Sequence, residues 1–203
     1  MQIKKDKVYT NILDAARAEF LDKGFDGTSM RSLANKAGVS LSNIYNYFAN
    51  KDDIFEQALH DVIHLLDKAM IAHNRGSHLT MDVYDNSEIL KKQIRFFIHL
   101  IRRHQKELYI LFFKSKGVAR GDITQHYIEK MTVMGEEYIR LMSQKYGQVN
   151  GSVSLFFIHT YSAYWMSVIK ELITHELSED ELEVFLTEAM EFSVAGWKRI
   201  MKV

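Results

Sequence analysis

Histidine, cysteine and closely spaced carboxylates are the residues with which a chain most often does chemistry, and here they are arranged to do little. None of the 203 residues is a cysteine, which removes thiolate nucleophiles, thiolate metal sites and disulfides together. His60 and His64 stand four apart in HDVIH, a spacing that puts two imidazoles on one helical face. The glutamate that follows the first histidine of HExxH is missing, however, so they read as solvated or interhelical histidines. His175-Glu176 has no companion ligand nearby, and there is no glycine-rich phosphate loop. The expectation is a non-enzyme with no catalytic residue, no cofactor and no metal.

The rest of the composition describes what would position functional residues. Apolar residues make up 47% of the chain and aromatics 12%, ample for a packed core, and proline is absent. Without the commonest helix breaker, an all-α chain is expected. The N-terminus has an acidic residue and no continuous apolar run, so it does not read as a secretory signal. Tyr146 to Ile169 carries no charge and is long enough to cross a bilayer, but it holds Gln148, Asn150, Ser152, Ser154, His159, Thr160, Ser162 and Ser167. A helix buried on several faces is the better reading, with no membrane partner and a cytoplasmic location. Net charge is zero, yet the residues through Lys51 carry a net of +3, and the C-terminal stretch from Glu176 to Glu191 is acidic. That asymmetry suits a chain presenting one end to phosphates.

Periodicity predicts about nine helices. The first runs from about Lys7 to Lys23, with Ile12, Ala16 and Phe20 on one face and Gly24 as its left-handed stop. A short second helix follows the hydroxyl pair Thr28-Ser29 and ends at Gly38; a third covers Leu41 to Phe48 after Ser40. Asn50 caps a long fourth helix reaching about His73, and Arg75 to Asn86 reads as a loop. A fifth helix opens at Ser87 and a short sixth spans Lys106 to Ser115, before a two-glycine break over Lys116 to Gly121. Asp122 and Gln125 have capping-box spacing ahead of the seventh. The eighth covers Ser152 to Glu176, and Ser178 with Glu181 opens the ninth.

Within this frame Thr28 to Phe55, TSMRSLANKAGVSLSNIYNYFANKDDIF, stands out. Short helix, glycine turn and short helix is the grammar of a helix-turn-helix. Ala34 is small where two helices cross, Gly38 allows the turn, Val39 fills the space beneath it and Ile44 anchors the following helix. Such spacing also recurs in unrelated helical proteins.

The match becomes specific when the surrounding residues are added. Ala15-Ala16, Phe20, Gly24-Phe25, Thr28-Ser29, Arg31, Leu33-Ala34, Ala37-Gly38-Val39-Ser40, Ile44-Tyr45, Tyr47-Phe48 and Lys51 resemble the DNA-binding head of the TetR family of bacterial transcriptional regulators. The resemblance implies an N-terminal three-helix head, residues 1–50, and a larger helical ligand-binding and dimerisation domain, residues 51–203. It implies DNA-binding roles for Ser29, Arg31, Ser40, Leu41, Ser42, Asn43, Tyr45, Asn46, Tyr47 and Lys51. Arg31 would reach into the groove, Leu41, Ser42, Asn43 and Asn46 would read base edges, and Ser29, Tyr45, Tyr47 and Lys51 would hold phosphates. Other readings stand beside these: Tyr45 packing against the first helix, and Ser29 only capping the second. Leu41-Ser42 departs from the basic or polar residue followed by glycine that many members carry. With no charge from Leu41 to Asn50, readout would use amides, hydroxyls and apolar contacts, which points to an A·T-rich half-site. Phosphate neutralisation would then fall to Lys51, Lys36 and the Lys4-Lys5-Lys7 arm.

A palindromic operator calls for a homodimer, which the resemblance places on the last two helices. Phe157, Tyr164, Ala189, Ser193 and Gly196 are the expected interface residues. A pocket for a hydrophobic small-molecule effector is expected among Phe97, Phe112, Tyr127, Met131, Met134, Tyr138, Tyr161 and Trp165. The function expected is a DNA-binding regulator, a repressor released by its ligand. The rivals are a ligand-binding enzyme and a protein-binding adaptor.

Overall fold

The structure, a computed structural model, describes residues 2–73 and 79–203, with side chains described for neither 2–5 nor 72–73. Lys4 and Lys5 of the expected basic arm therefore lie outside the described side chains, and part of the expected loop after Arg75 lies outside the described residues. Among the described residues there are nine α-helices and no strand: α1 Gln2–Gly27, α2 Met30–Ala37, α3 Leu41–Tyr45, α4 Lys51–Ala58, α5 His60–His73, α6 Ser87–Phe113, α7 Ile123–Lys145, α8 Leu155–Thr174 and α9 Glu179–Met201. A 3-10 turn, Met81–Tyr84, lies in the expected loop.

One bend was not expected, and another falls where a break was. The long fourth helix is divided at Leu59, whose φ of −108° and ψ of 9° leave the helical region. The ladder nevertheless continues across it, through Leu59 N–H to the Phe55 carbonyl at 3.1 Å and Ile63 N–H to the Leu59 carbonyl at 3.0 Å. The expected fifth and sixth helices meet at His104, whose φ of −124° and ψ of 22° form a kink within α6. Leu59 is neither a glycine nor a proline, so composition carried no signal for that bend.

The chain packs as two compact units, Met1–Leu65 with Lys106–Ile123, and Leu66–Gln105 with Thr124–Val203. In the first, α1 packs on α2 and α4. Its core holds Ile12, Ala16, Phe20, Leu33, Ile44, Phe48, Ile54 and Phe55, each at most 2% exposed. Phe20, Phe25 and Phe55 meet with centroids 5.3 to 5.9 Å apart, and such pairs contribute about 0.5–1.5 kcal/mol each beyond their burial. Gly24 breaks α1 as expected, with a positive φ of 72°.

The loop after α6 closes this unit. Phe25 N–H donates to the Lys114 carbonyl at 2.7 Å. Ala119 N–H donates to Asp52 Oδ1 at 2.7 Å, and Arg120 pairs with Glu56 at 3.1 Å.

In the second unit, Tyr138, Ile139, Met142, Val149, Ile158 and Met201 form a core cluster. Asn150 ties the α7–α8 connection to the end of α9, its N–H on the Met201 carbonyl at 2.8 Å and its Nδ2 on the Ile200 carbonyl at 3.0 Å. The expected Ser178–Glu181 capping box is present at the start of α9. No helix among the described residues is long and apolar enough to cross a membrane.

Candidate DNA-reading helix and its frame

Three caps set the position of α3. Ser29 caps α2 in a reciprocal box: its hydroxyl accepts the Ser32 N–H at 3.0 Å while Ser32 Oγ accepts the Ser29 N–H at 3.1 Å. Thr28 does something else. It is 3% exposed, and its hydroxyl donates back to the Gly24 carbonyl at 2.8 Å, so it locks the α1–α2 turn. Gly38 closes α2 with φ 66° and ψ 32°, the left-handed conformation that side chains with a Cβ adopt only at a cost. Ser40 then caps α3 through the Asn43 N–H at 3.2 Å.

The reading helix is shorter than expected. Leu41–Tyr45 is α-helical, and Asn46, Tyr47 and Phe48 wrap as a turn bonded back to the Asn43 and Ile44 carbonyls. The side chains still sort by face. Ile44 and Phe48 are buried; Ser42, Tyr45 and Asn46 are exposed; Leu41, Asn43 and Tyr47 are half-buried. Two amides, a hydroxyl and a phenol are thus presented on a backbone pinned from beneath by Ile44. Ser29, Arg31 and Ser40 are exposed as well. Tyr45 is 54% exposed, which removes the reading that packs it on the first helix. Tyr47 is held on one side, 6.3 Å from the Tyr9 ring and 6.4 Å from Phe48.

Lys51 and Lys36 have partners within the protein. Lys51 Nζ donates to the Phe25 carbonyl at 2.7 Å and the Thr28 carbonyl at 2.9 Å, and sits 4.1 Å over the Phe25 ring. An ammonium has three hydrogens, so one remains for a phosphate. Lys36 pairs with Glu19 at 3.2 Å, and Lys23 pairs with the same carboxylate at 2.8 Å. Glu19 is 5% exposed. Its hydrogen bond from Lys23 holds its carboxyl below the usual range, against the opposing effect of burial.

Sequence reasoning missed Glu19 and Tyr9. Tyr9 stacks on Phe48 at 5.2 Å and donates its hydroxyl to Gln57 at 3.2 Å. Glu19 on the face of α1 near Phe20 was visible as an acid among apolar residues. Tyr9 carried no signal, since its partners lie some forty residues away.

Residues 12–58 match the family of bacterial regulatory proteins called tetR. Over those residues the chain carries a TetR-family head. The chain is 23% identical to IcaR of Staphylococcus aureus, the HTH-type negative transcriptional regulator of the biofilm operon icaADBC, over 78% of this chain and 95% of that protein. Among solved structures, a TetR-like transcriptional regulator from Rhodococcus superposes with a TM-score of 0.63 at 18% identity, covering 93% of this chain and 96% of that one. MexZ of Pseudomonas aeruginosa, described as a key repressor responsible for antibiotic resistance, gives 0.57 at 20% identity, covering 94% of each chain. Those likenesses extend the shared fold over nearly the whole chain, beyond the 12–58 head.

The expected effector-pocket residues are distributed over both compact units. Phe112 belongs to the first unit, where it is buried; the other seven belong to the second. Tyr138 is part of the packed cluster around Met142, and burial pushes its hydroxyl pKa up. Tyr127 is buried, while Phe97, Met131, Met134, Tyr161 and Trp165 are half-buried. A cleft of about 370 Å³ in the second unit is lined by none of these, but by Ile101, Arg102, Gln105, Leu172, His175, Glu176, Leu177, Ser178 and Leu182.

The expected interface residues also divide. Phe157 and Tyr164 are exposed, as is Gly196. Ala189 and Ser193 instead turn inward, each 8% exposed, with Ser193 Oγ bonded to the Ala189 carbonyl at 2.8 Å. Ala189 and Ser193, unlike Gly196, thus lie on the inner face of α9. Its outer face carries Val184, Phe185 and Phe192, and α8 adds Leu155 and Phe156, up to 80% exposed. Tyr161 and Trp165, expected in the pocket, join Phe157, Tyr164 and Trp197 in one run of ring contacts 5.1 to 6.5 Å apart.

Proposed function

We propose that this TetR-family protein is a repressor that binds a palindromic operator as a homodimer and leaves it on taking up a hydrophobic small molecule. The observation that carries the DNA-binding role is the exposed row of Ser42, Tyr45 and Asn46 on a helix whose Ile44 is fully buried beneath it. Asn43 and Asn46 suit adenine, Leu41 suits a thymine methyl and Arg31 suits guanine, so the half-site core is A·T-rich. One such helix reads few base pairs. Two, related by a twofold axis, read half-sites about 34–36 Å apart or a little more.

The exposed apolar side chains of α8 and α9, including Phe156, Tyr164, Val184 and Phe192, support dimerisation through these helices. Ligand control follows from chain connectivity. Both α5 and α6 run from one compact unit into the other, so a ligand that favours one conformation of the second unit biases the head. Division of labour then falls near residue 50, with DNA contact through Lys51 and ligand and dimer contact beyond it. Repression is what the name of the IcaR relative states for that protein, and it is proposed here by that likeness.

A mobility shift with the DNA upstream of the protein's own coding region tests the proposal. A discrete, competitor-resistant shift that Asn46→Ala abolishes is the expected result. A shift that non-specific DNA competes away equally well would sink the reading of α3 as a sequence reader.

A further inference from the structure

We propose that His60 and His64 form a surface site for one divalent transition-metal ion of the zinc, copper or nickel kind. Both lie in the opening of α5, within the first compact unit, immediately after the interruption at Leu59. Their rings are parallel within 3°, their centroids are 5.8 Å apart, and both side chains are exposed. Two imidazole nitrogens bound at 2.0–2.1 Å to a tetrahedral ion sit roughly 3.3 Å from each other. Exposed rings already face to face, one helical turn apart, reach that spacing by side-chain rotation alone.

A second observation concerns the other nitrogen of His60. Its Nδ1 is 3.3 Å from Asp61 Oδ1. A carboxylate there favours the tautomer with the proton on Nδ1, which leaves Nε2 with the lone pair that a metal needs. Imidazole donors select zinc, copper or nickel over magnesium and calcium, which prefer oxygen. No group of three or more potential ligands occurs among the described residues, so the protein supplies two donors and water the rest. Such a chelate cross-links the first turn of α5, on the residue next to the bend at Leu59. Metal would thereby stiffen the segment through which the chain leaves the DNA-binding unit.

The test uses the untagged full-length protein with Zn²⁺ alone, and Cu²⁺ in parallel. Expected are one ion per protomer, a melting temperature that rises with Zn²⁺ concentration, and a Cu²⁺ resonance spectrum showing two imidazole nitrogens. His60→Gln and His64→Gln, both at exposed helical positions, should each weaken Zn²⁺ binding about tenfold or more and remove the two-nitrogen signature. Operator binding in chelator should be unchanged by either. Wild-type affinity in either variant, a single-nitrogen spectrum in the wild type, or an equal rise with Mg²⁺ overturns the proposal.

Discussion

Glu19 is a buried carboxylate that two lysines hold, and its protonation links the head's stability to pH. Its folded pKa is depressed, chiefly by the Lys23 hydrogen bond. The stabilisation is therefore complete above the unfolded value near 4.5 and is lost as pH falls through the lower folded value. Glu19→Gln should lower stability at neutral pH by on the order of 1 kcal/mol, because both lysines are partly exposed. Denaturant melts of the two proteins should converge as pH is taken below 4.5; a gap that persists in acid would mean the loss comes from packing. Lys51 is a similar fastener. Lys51→Ala removes two charge-assisted hydrogen bonds and should cost about 1–2 kcal/mol. If its third hydrogen also meets a phosphate, the slope of log affinity against log salt falls by about one. An unchanged slope would confine Lys51 to holding the α1–α2 turn.

At the scale of elements, the head is completed by a segment far from it in sequence. Gly117, in the loop between α6 and α7, has φ +92°, and a Cβ there would lie 1.7 Å from Asp26 Oδ1. Gly121, at φ +80°, has no atom within 4 Å of that position. Gly121→Ala should thus cost only the left-handed penalty, about 1–2 kcal/mol, and Gly117→Ala more. Because Asp26 is exposed and can be trimmed, Asp26→Ala should bring the two alanine variants level in thermal melts. Equal costs before trimming would show that Asp26 swings aside freely. The helix pattern was legible almost throughout, down to the Gly24 and Gly38 stops and the Ser178 box. The bend at Leu59 was not, because a residue with ordinary helical preferences stands there and periodicity does not register the change; the one at His104 falls at the expected boundary between the fifth and sixth helices.

For the whole molecule, the prediction is about what covers α8 and α9. Phe192 and Phe156 are 73% and 80% exposed in the single chain. Phe192→Glu with Phe156→Glu should leave helix content and melting of the protomer's core intact while giving monomers in sedimentation. Binding to a palindromic operator should collapse, with a half-site hardly affected. A dimer that survives both changes would put the interface elsewhere and leave this face unexplained.

What the residues alone determined was local. Caps, glycine stops and the row Leu41 to Phe48 depend on neighbours within a few positions, and that row also carries the resemblance to a DNA-binding family. What only the tertiary structure decided was which side of each amphipathic helix faces inward. Ala189 and Ser193 read as a contact surface yet are buried, while Val184 and Phe192 on the same helix are exposed. A helix with apolar residues on several faces has more than one way to bury itself, and contacts between residues a hundred positions apart make the choice.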